Sequence, residues 1–180
     1  MPDYEFFLNI GGIANLSVNR SEYIAFDVCP ANRVLNLLAE KMGKAFDEDG
    51  KIAESGSLNQ ELLDALNKLD YYASPYPKSL DNSYGTDIIM PIIDSYNLSA
   101  QDTLATYCEH IAQQIRKSII DVLDLGSEKK HRLLVTGGGA FNRFLINRLR
   151  SNCPEIEWVI GDEKLASYKE AFIMAFMAVL

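Results

Sequence analysis

Only two residues, Gly11 and Gly12, separate the β-rich run at 4–10 (YEFFLNI) from the one at 13–19 (IANLSVN). A connection that short joins strands only as an antiparallel hairpin, because a parallel pair needs a crossover of a dozen residues or more. The polar turn Asn19-Arg20-Ser21-Glu22 then leads to a third β-rich run at 23–28 (YIAFDV). Three consecutive hairpin-linked strands are therefore expected before residue 30, and Pro30 is placed to open a helix carrying Val34, Leu35, Leu38 and Met42 and closed by Gly43.

The rest of the chain has a different rhythm. Ser57 with Gln60 and Ser99 with Asp102 read as capping boxes ahead of helical repeats. The second repeat is the longer, running through Leu104, Cys108, Ile111, Ile115, Ile119 and Val122. Residues 74–85 (SPYPKSLDNSYG) read as a loop. Then come a buried-strand run ending in three glycines (LLVTGGG), a helix over about 142–150, a strand (IEWVIG) and an apolar helix over 167–180. Hairpins at one end and strand-helix-strand crossovers at the other predict an α/β domain. Its five-stranded mixed sheet would be antiparallel on one side, parallel on the other, and covered by helices on both faces.

Length and composition bound the function. The 180 residues suit one domain spanning 1–180, and 48% hydrophobic against 23% charged residues suits a globular one. A formal charge of −8 argues against nucleic acid, since phosphate neutralisation needs clustered Lys and Arg. Cys29, Cys108 and Cys153 are odd in number and widely spaced, which fits a reducing compartment and supplies neither a disulfide framework nor a CxxC metal site. With no signal-like N-terminus and no run of 18 apolar residues, a cytoplasmic protein without membrane contact is expected.

Four groups of residues carry candidate chemistry. Gly11 and Gly12 allow positive φ and bare backbone, with Asn9 and Asn15 on either side able to donate amide hydrogen bonds. A plain hairpin turn explains the glycine pair equally well. Gly137, Gly138 and Gly139 stand where a strand meets a helix, a place for a nucleotide against backbone. Asn142 occupies the position where a dinucleotide fingerprint needs glycine, and no G-K-[ST] follows. Asp27, at the end of the third strand, could take a proton from a reacting hydroxyl or water, and a helix N-terminal carboxylate is its plainer reading. His110, His131 and the acidic DEDG turn (47–50) lack partners at ligand spacing and read as structural.

Taken together, LNIGGIANLS, AFDVCPAN, PKSL, VTGGGAFN and YKEAFIMAF resemble the C-terminal half of the anhydro-N-acetylmuramic acid kinases, within the actin-like, sugar-kinase and heat-shock ATPase superfamily. The resemblance implies a ribonuclease-H-like lobe, with ATP and Mg²⁺ as cofactors and an anhydro amino sugar as substrate. Asn9, Gly11, Gly12 and Asn15 would lie at the phosphates, and Gly137, Gly138, Gly139 and Asn142 at the adenosine. By the same resemblance Asp27 is the base that activates water to open the 1,6-anhydro ring, while the sugar's 6-oxygen takes the γ-phosphoryl group. Pro30, Asn32, Lys78 and Ser79 would face the sugar.

This sequence departs from the family at Val28-Cys29-Pro30-Ala31-Asn32, where Thr-Gly-Pro-Gly-Asn is usual, and after Ser79, where Leu80 replaces glycine. The family's Ser-Gly-Thr-Ser loop, carried on an N-terminal lobe, does not occur here. Half an active site is then expected, inactive alone, with that lobe or a second copy of the chain as partner. The alternative is a non-catalytic module of the same fold that serves protein association.

Overall fold

A computed structural model describes residues 4–19, 23–123 and 131–161. Five strands form one sheet: β1 (Phe6–Ile10), β2 (Ile13–Asn19), β3 (Tyr23–Pro30), β4 (His131–Thr136) and β5 (Ile156–Ile160). Their order is β3-β2-β1-β4-β5. β1 pairs antiparallel with β2, and β2 with β3, whereas β1–β4 and β4–β5 are parallel. The mixed sheet expected from gap lengths is the one observed. The helices are α1 (Asn32–Glu40), α2 (Lys51–Glu54), α3 (Gln60–Asn67), α4 (Met90–Ser95), α5 (Ala100–Val122) and α6 (Arg143–Asn152). The strand expected at IEWVIG is β5; the helix expected over 167–180 lies outside the described residues.

Alternation along the strands sends Phe6, Leu8 and Ile10 of β1, Leu16 and Val18 of β2, and Leu133 and Val135 of β4 into a single core. There they meet Leu104, Tyr107, Ile111, Ile115 and Ile119 of α5. Each such side chain contributes about 1.5–3 kcal/mol through burial. The opposite sheet face carries Phe7, Asn9, Ile13, Asn15 and Ser17, half-buried or exposed. α5 begins at the expected residue, the Ser99 hydroxyl accepting the Asp102 N–H at 3.0 Å. The Asp102 carboxylate also accepts the Ser57 N–H at 2.7 Å, and that bond, then the Ser99 hydroxyl, lowers its pKa.

Three local expectations are corrected. Pro30 does not open α1: it is the last residue of edge strand β3, opposite Ile13, where a missing N–H costs little, and α1 starts at Asn32. The cap of α3 is Asn59, two residues after the expected Ser57; its side chain accepts the Leu62 N–H at 2.9 Å. The third concerns the glycine pair. Positive φ among the glycines occurs at Gly43, Gly50 and Gly137, not at Gly11 or Gly12. Instead, the carbonyls of Gly11 and Gly12 accept the Asn32 N–H at 3.0 Å and the Ala31 N–H at 2.8 Å. The first hairpin thereby caps α1 with its own backbone.

His110 is structural, as expected. Its Nδ1–H donates to Asn67 Oδ1 at 2.7 Å and its Nε2 accepts from the Tyr72 hydroxyl at 3.1 Å. This network holds a neutral ring, and burial pushes its pKa down to about 3 from 6.5. Above about pH 6.5 the imidazole is neutral folded or unfolded, so its contribution to stability is complete. As pH falls from 6.5 toward 3, only the unfolded chain takes up the proton, and stability drops by up to about 1.4 kcal/mol per pH unit. Urea unfolding of His110→Gln should lack this part of the slope between pH 6.5 and 4. An unchanged slope would refute the assignment.

The three thiols are free and buried. Burial raises the pKa of Cys153 to about 12 and pushes those of Cys29 and Cys108 higher, so none is poised as a nucleophile. Among the described residues, no helix is long and apolar enough to cross a membrane.

Candidate active site

The site begins with a flaw in the β2–β3 ladder. Ala14 pairs with Cys29, but the next residue, Asn15, pairs with Asp27, so the register shifts and Val28 is left over as a bulge. Strict alternation would put residues 27 and 29 on the same face. The bulge breaks that rule: Cys29 faces the core with Ala14, while Asp27 turns to the open face with Asn15.

There Asp27 ends a polar row running straight across four strands. Register sets Thr136 of β4 beside Asn9 of β1, Asn9 beside Asn15 of β2, and Asn15 beside Asp27 of β3. The Thr136 hydroxyl donates to Asn9 Oδ1 at 3.4 Å and Asn9 Nδ2 donates to Asn15 Oδ1 at 3.4 Å. Asn15 Nδ2 donates to Asp27 Oδ1. Every donor points the same way, toward the carboxylate.

The second oxygen of Asp27 is held by the segment expected to face the sugar. The Leu80 N–H donates to Asp27 Oδ2 at 2.8 Å, and the Asp27 N–H donates to the Lys78 carbonyl at 3.0 Å. The Tyr71 hydroxyl binds the Asp27 carbonyl at 2.6 Å. Lys78 thus meets Asp27 through its backbone. Its ammonium donates to the Tyr71 carbonyl at 3.1 Å and lies 4.7 Å from the centre of the Tyr71 ring. Burial, then Lys117, lowers its pKa. Ser79 is exposed beside it. Pro30 accepts the Tyr107 hydroxyl on its carbonyl at 2.9 Å.

The two glycine motifs meet at the carboxyl ends of the parallel neighbours β1 and β4. Asn9 pairs with Thr136, so Gly11 and Gly137 each follow within two residues of one rung. Gly137 has φ +85° and would drive a Cβ to 2.6 Å from the Ile10 carbonyl oxygen; a Cβ on Gly139 would lie 2.3 Å from Ile10 Cγ2. These two glycines let the junction pack on β1. Gly138 is different: among the described residues a Cβ there would have only Asn32 Nδ2 nearby, at 3.4 Å, and Cβ atoms on Gly11 and Gly12 would meet nothing closer than 3.4 Å. Packing among the described residues does not account for those three.

Beside Gly138 opens a cavity of about 430 Å³. Its walls include Asn32, Leu35, Phe46, Gly138, Gly139 and Phe141, and Asp47, Glu48 and Asp49 lie along it. Its volume lies within the usual 300–1,000 Å³ for small-molecule sites. Asn32, expected at the sugar, is found here, its Nδ2 donating to the Ile10 carbonyl at 3.1 Å. Asn142 also lines the cavity, but its Oδ1 is engaged as the cap of α6, accepting the Leu145 N–H at 3.0 Å. The DEDG segment forms a 3₁₀ turn in which the Asp47 carboxylate accepts the Ile52 and Ala53 N–H groups. Phe46 and Phe141, 60% and 43% exposed, also line the cavity, and the sequence reading named neither.

The sequence model of the anhydro-N-acetylmuramic acid kinase family matches residues 2–180. Among curated proteins, the anhydro-N-acetylmuramic acid kinase of Aliivibrio fischeri (strain ATCC 700601 / ES114) is 37% identical over 158 residues, covering 86% of this chain and 42% of that protein. That of Pasteurella multocida (strain Pm70) is 35% identical over 181 residues, covering 95% and 46%. The chain spans less than half the length of these relatives.

Similar solved structures include the activator of the 2-hydroxyisocaproyl-CoA dehydratase from Clostridium difficile with bound ADPNP. It has a TM-score of 0.59 at 15% identity, over 92% of this chain and 57% of that one. Xylulose kinase from Rhodospirillum rubrum follows at 0.53 and 12%, over 90% and 36%. At such identities the likeness is one of fold: the ribonuclease-H-like α/β fold of actin-like ATPases and sugar kinases.

Proposed function

The chain belongs to the anhydro-N-acetylmuramic acid kinase family, and from that premise we propose that it forms the C-terminal lobe of an ATP-dependent kinase of 1,6-anhydro-N-acetylmuramic acid. The observation that carries this reading is the convergence of both glycine motifs on one rung of the sheet, with a row of polar side chains leading from there to Asp27. Strands lie about 4.8 Å apart, so Asp27 stands about 10 Å from the β1 corner, within reach of a sugar lying against the end of a triphosphate there.

Charge sets the direction of the nucleotide. Asp47, Glu48 and Asp49 beside the cavity repel phosphates but accept hydrogen bonds from ribose hydroxyls or an exocyclic amine, so adenosine enters the cavity next to Phe46 and Phe141. The phosphates lie toward Gly11, Gly12 and Gly138, where bare backbone leaves room. When bound, ATP would supply the γ-phosphoryl group and Mg²⁺ would offset the charge of its phosphates.

Asp27 then takes a proton from water. The water oxygen bonds to C1 of the sugar as the C1–O6 bond breaks, O6 bonds to the γ-phosphorus as its bond to ADP breaks, and ADP leaves while Asp27 returns its proton to solvent. Leu80 N–H and Asn15 Nδ2 hold the carboxylate while this happens. A half-site gives only one wall, so turnover requires the N-terminal lobe. The two-lobed protein, given Mg-ATP and the anhydro-sugar in H₂¹⁸O, should yield N-acetylmuramic acid 6-phosphate with no ¹⁸O in its phosphate. Release of ¹⁸O-labelled inorganic phosphate with the ring still closed would contradict the reading.

A further inference from the structure

Asn15 flanks the glycine pair, and so reads at first as a ligand of the nucleotide. We propose instead that Asn15 is a positioning residue for Asp27, an inference that rests on Asp27 being the base. The register shift at Val28 exists at the rung that brings these two residues together. An amide has distinct ends, and both ends of Asn15 are committed: Nδ2 to Asp27 Oδ1, and Oδ1 to Asn9 Nδ2 at 3.4 Å. Flipping it would set oxygen against the carboxylate and nitrogen against Asn9 Nδ2, two repulsive contacts. Thr136 fixes Asn9 the same way round by donating to its Oδ1 at 3.4 Å.

With the Leu80 N–H on Oδ2 at 2.8 Å, the two oxygens of Asp27 are clamped from strand β2 and from the loop that carries Leu80. The carboxylate cannot turn about its own axis. One lone pair on each oxygen is left to accept a proton from a group held beside it.

Asn15→Leu keeps the side-chain volume and removes the amide. A positioning role predicts that the Mg-ATP dissociation constant stays within twofold while kcat falls about 10–100-fold. The ¹³Cγ resonance of Asp27, selectively labelled in the 180-residue chain, should shift. Asn15→Ser, which retains a donor, should recover part of kcat, and should Asn15→Leu not fold, Asn15→Ala carries the same readings. A tenfold weaker Mg-ATP affinity with kcat retained would make Asn15 a phosphate ligand and overturn the proposal. So would an unmoved Asp27 resonance. Absence of turnover in the wild-type two-lobed protein would defeat the kinase reading instead, and the resonance would still decide the clamp.

Discussion

With Asp27 as the proposed base, Asp27→Asn should lower kcat of the two-lobed protein by about 10³-fold, within the range of about 10²–10⁴ that a positioned proton acceptor contributes. Nucleotide affinity stays within twofold, because Asp27 lies two strands from the glycine corner, about 10 Å away. Asparagine is nearly isosteric but has one oxygen where two are required. The Leu80 N–H and Asn15 Nδ2 both donate into the present carboxylate, so one of them would face an NH₂ group in the variant. A loss of stability of about 1–3 kcal/mol should accompany the loss of turnover. Steady-state kinetics on the anhydro-sugar, with calorimetric titration of Mg-ATP, separates the two effects. Activity at the wild-type level would remove Asp27 from the mechanism.

The triple glycine yields a prediction of opposite kinds from adjacent residues. Gly137→Val combines a β-branched side chain with φ +85° and places a Cβ 2.6 Å from the Ile10 carbonyl oxygen, neither of which can relax without moving β1. Destabilisation above about 3 kcal/mol, or failure to fold, is expected. Among the described residues, Gly138→Val meets only the end of the Asn32 side chain, at 3.4 Å, and should cost less than about 1 kcal/mol. Its isopropyl group would nonetheless project beside the cavity and should weaken Mg-ATP binding at least tenfold. Were Gly138→Val to bind nucleotide normally, the junction would be a packing device alone.

Much of this arrangement was legible beforehand because it follows from chain connectivity. Two- and four-residue gaps leave no choice but hairpins, and a helix between LLVT and IEWVI leaves little choice but a parallel crossover. The long helix announced its own start through Ser99. What stayed hidden depends on register or on packing between distant segments. The shift that pairs Asn15 with Asp27 leaves no mark in AFDVCPAN, where plain alternation would send Asp27 the same way as Cys29. The Phe46–Asp49 wall reaches the triple glycine only because α2 and α6 pack on α5 around Gly50, whose bare Cα lies against Asn142 and Phe144. Pro30 misled for a simple reason: a proline suits the end of an edge strand as well as the first turn of a helix.

The central claim is that two backbone corners from distant parts of the chain hold one nucleotide. Titration of the ¹⁵N-labelled protein with Mg-ADP reads it most directly, through the amide resonances of Gly11, Gly12, Gly137, Gly138 and Gly139. All five should move together along one binding curve with a common dissociation constant. Movement confined to one corner, or to neither, would contradict it.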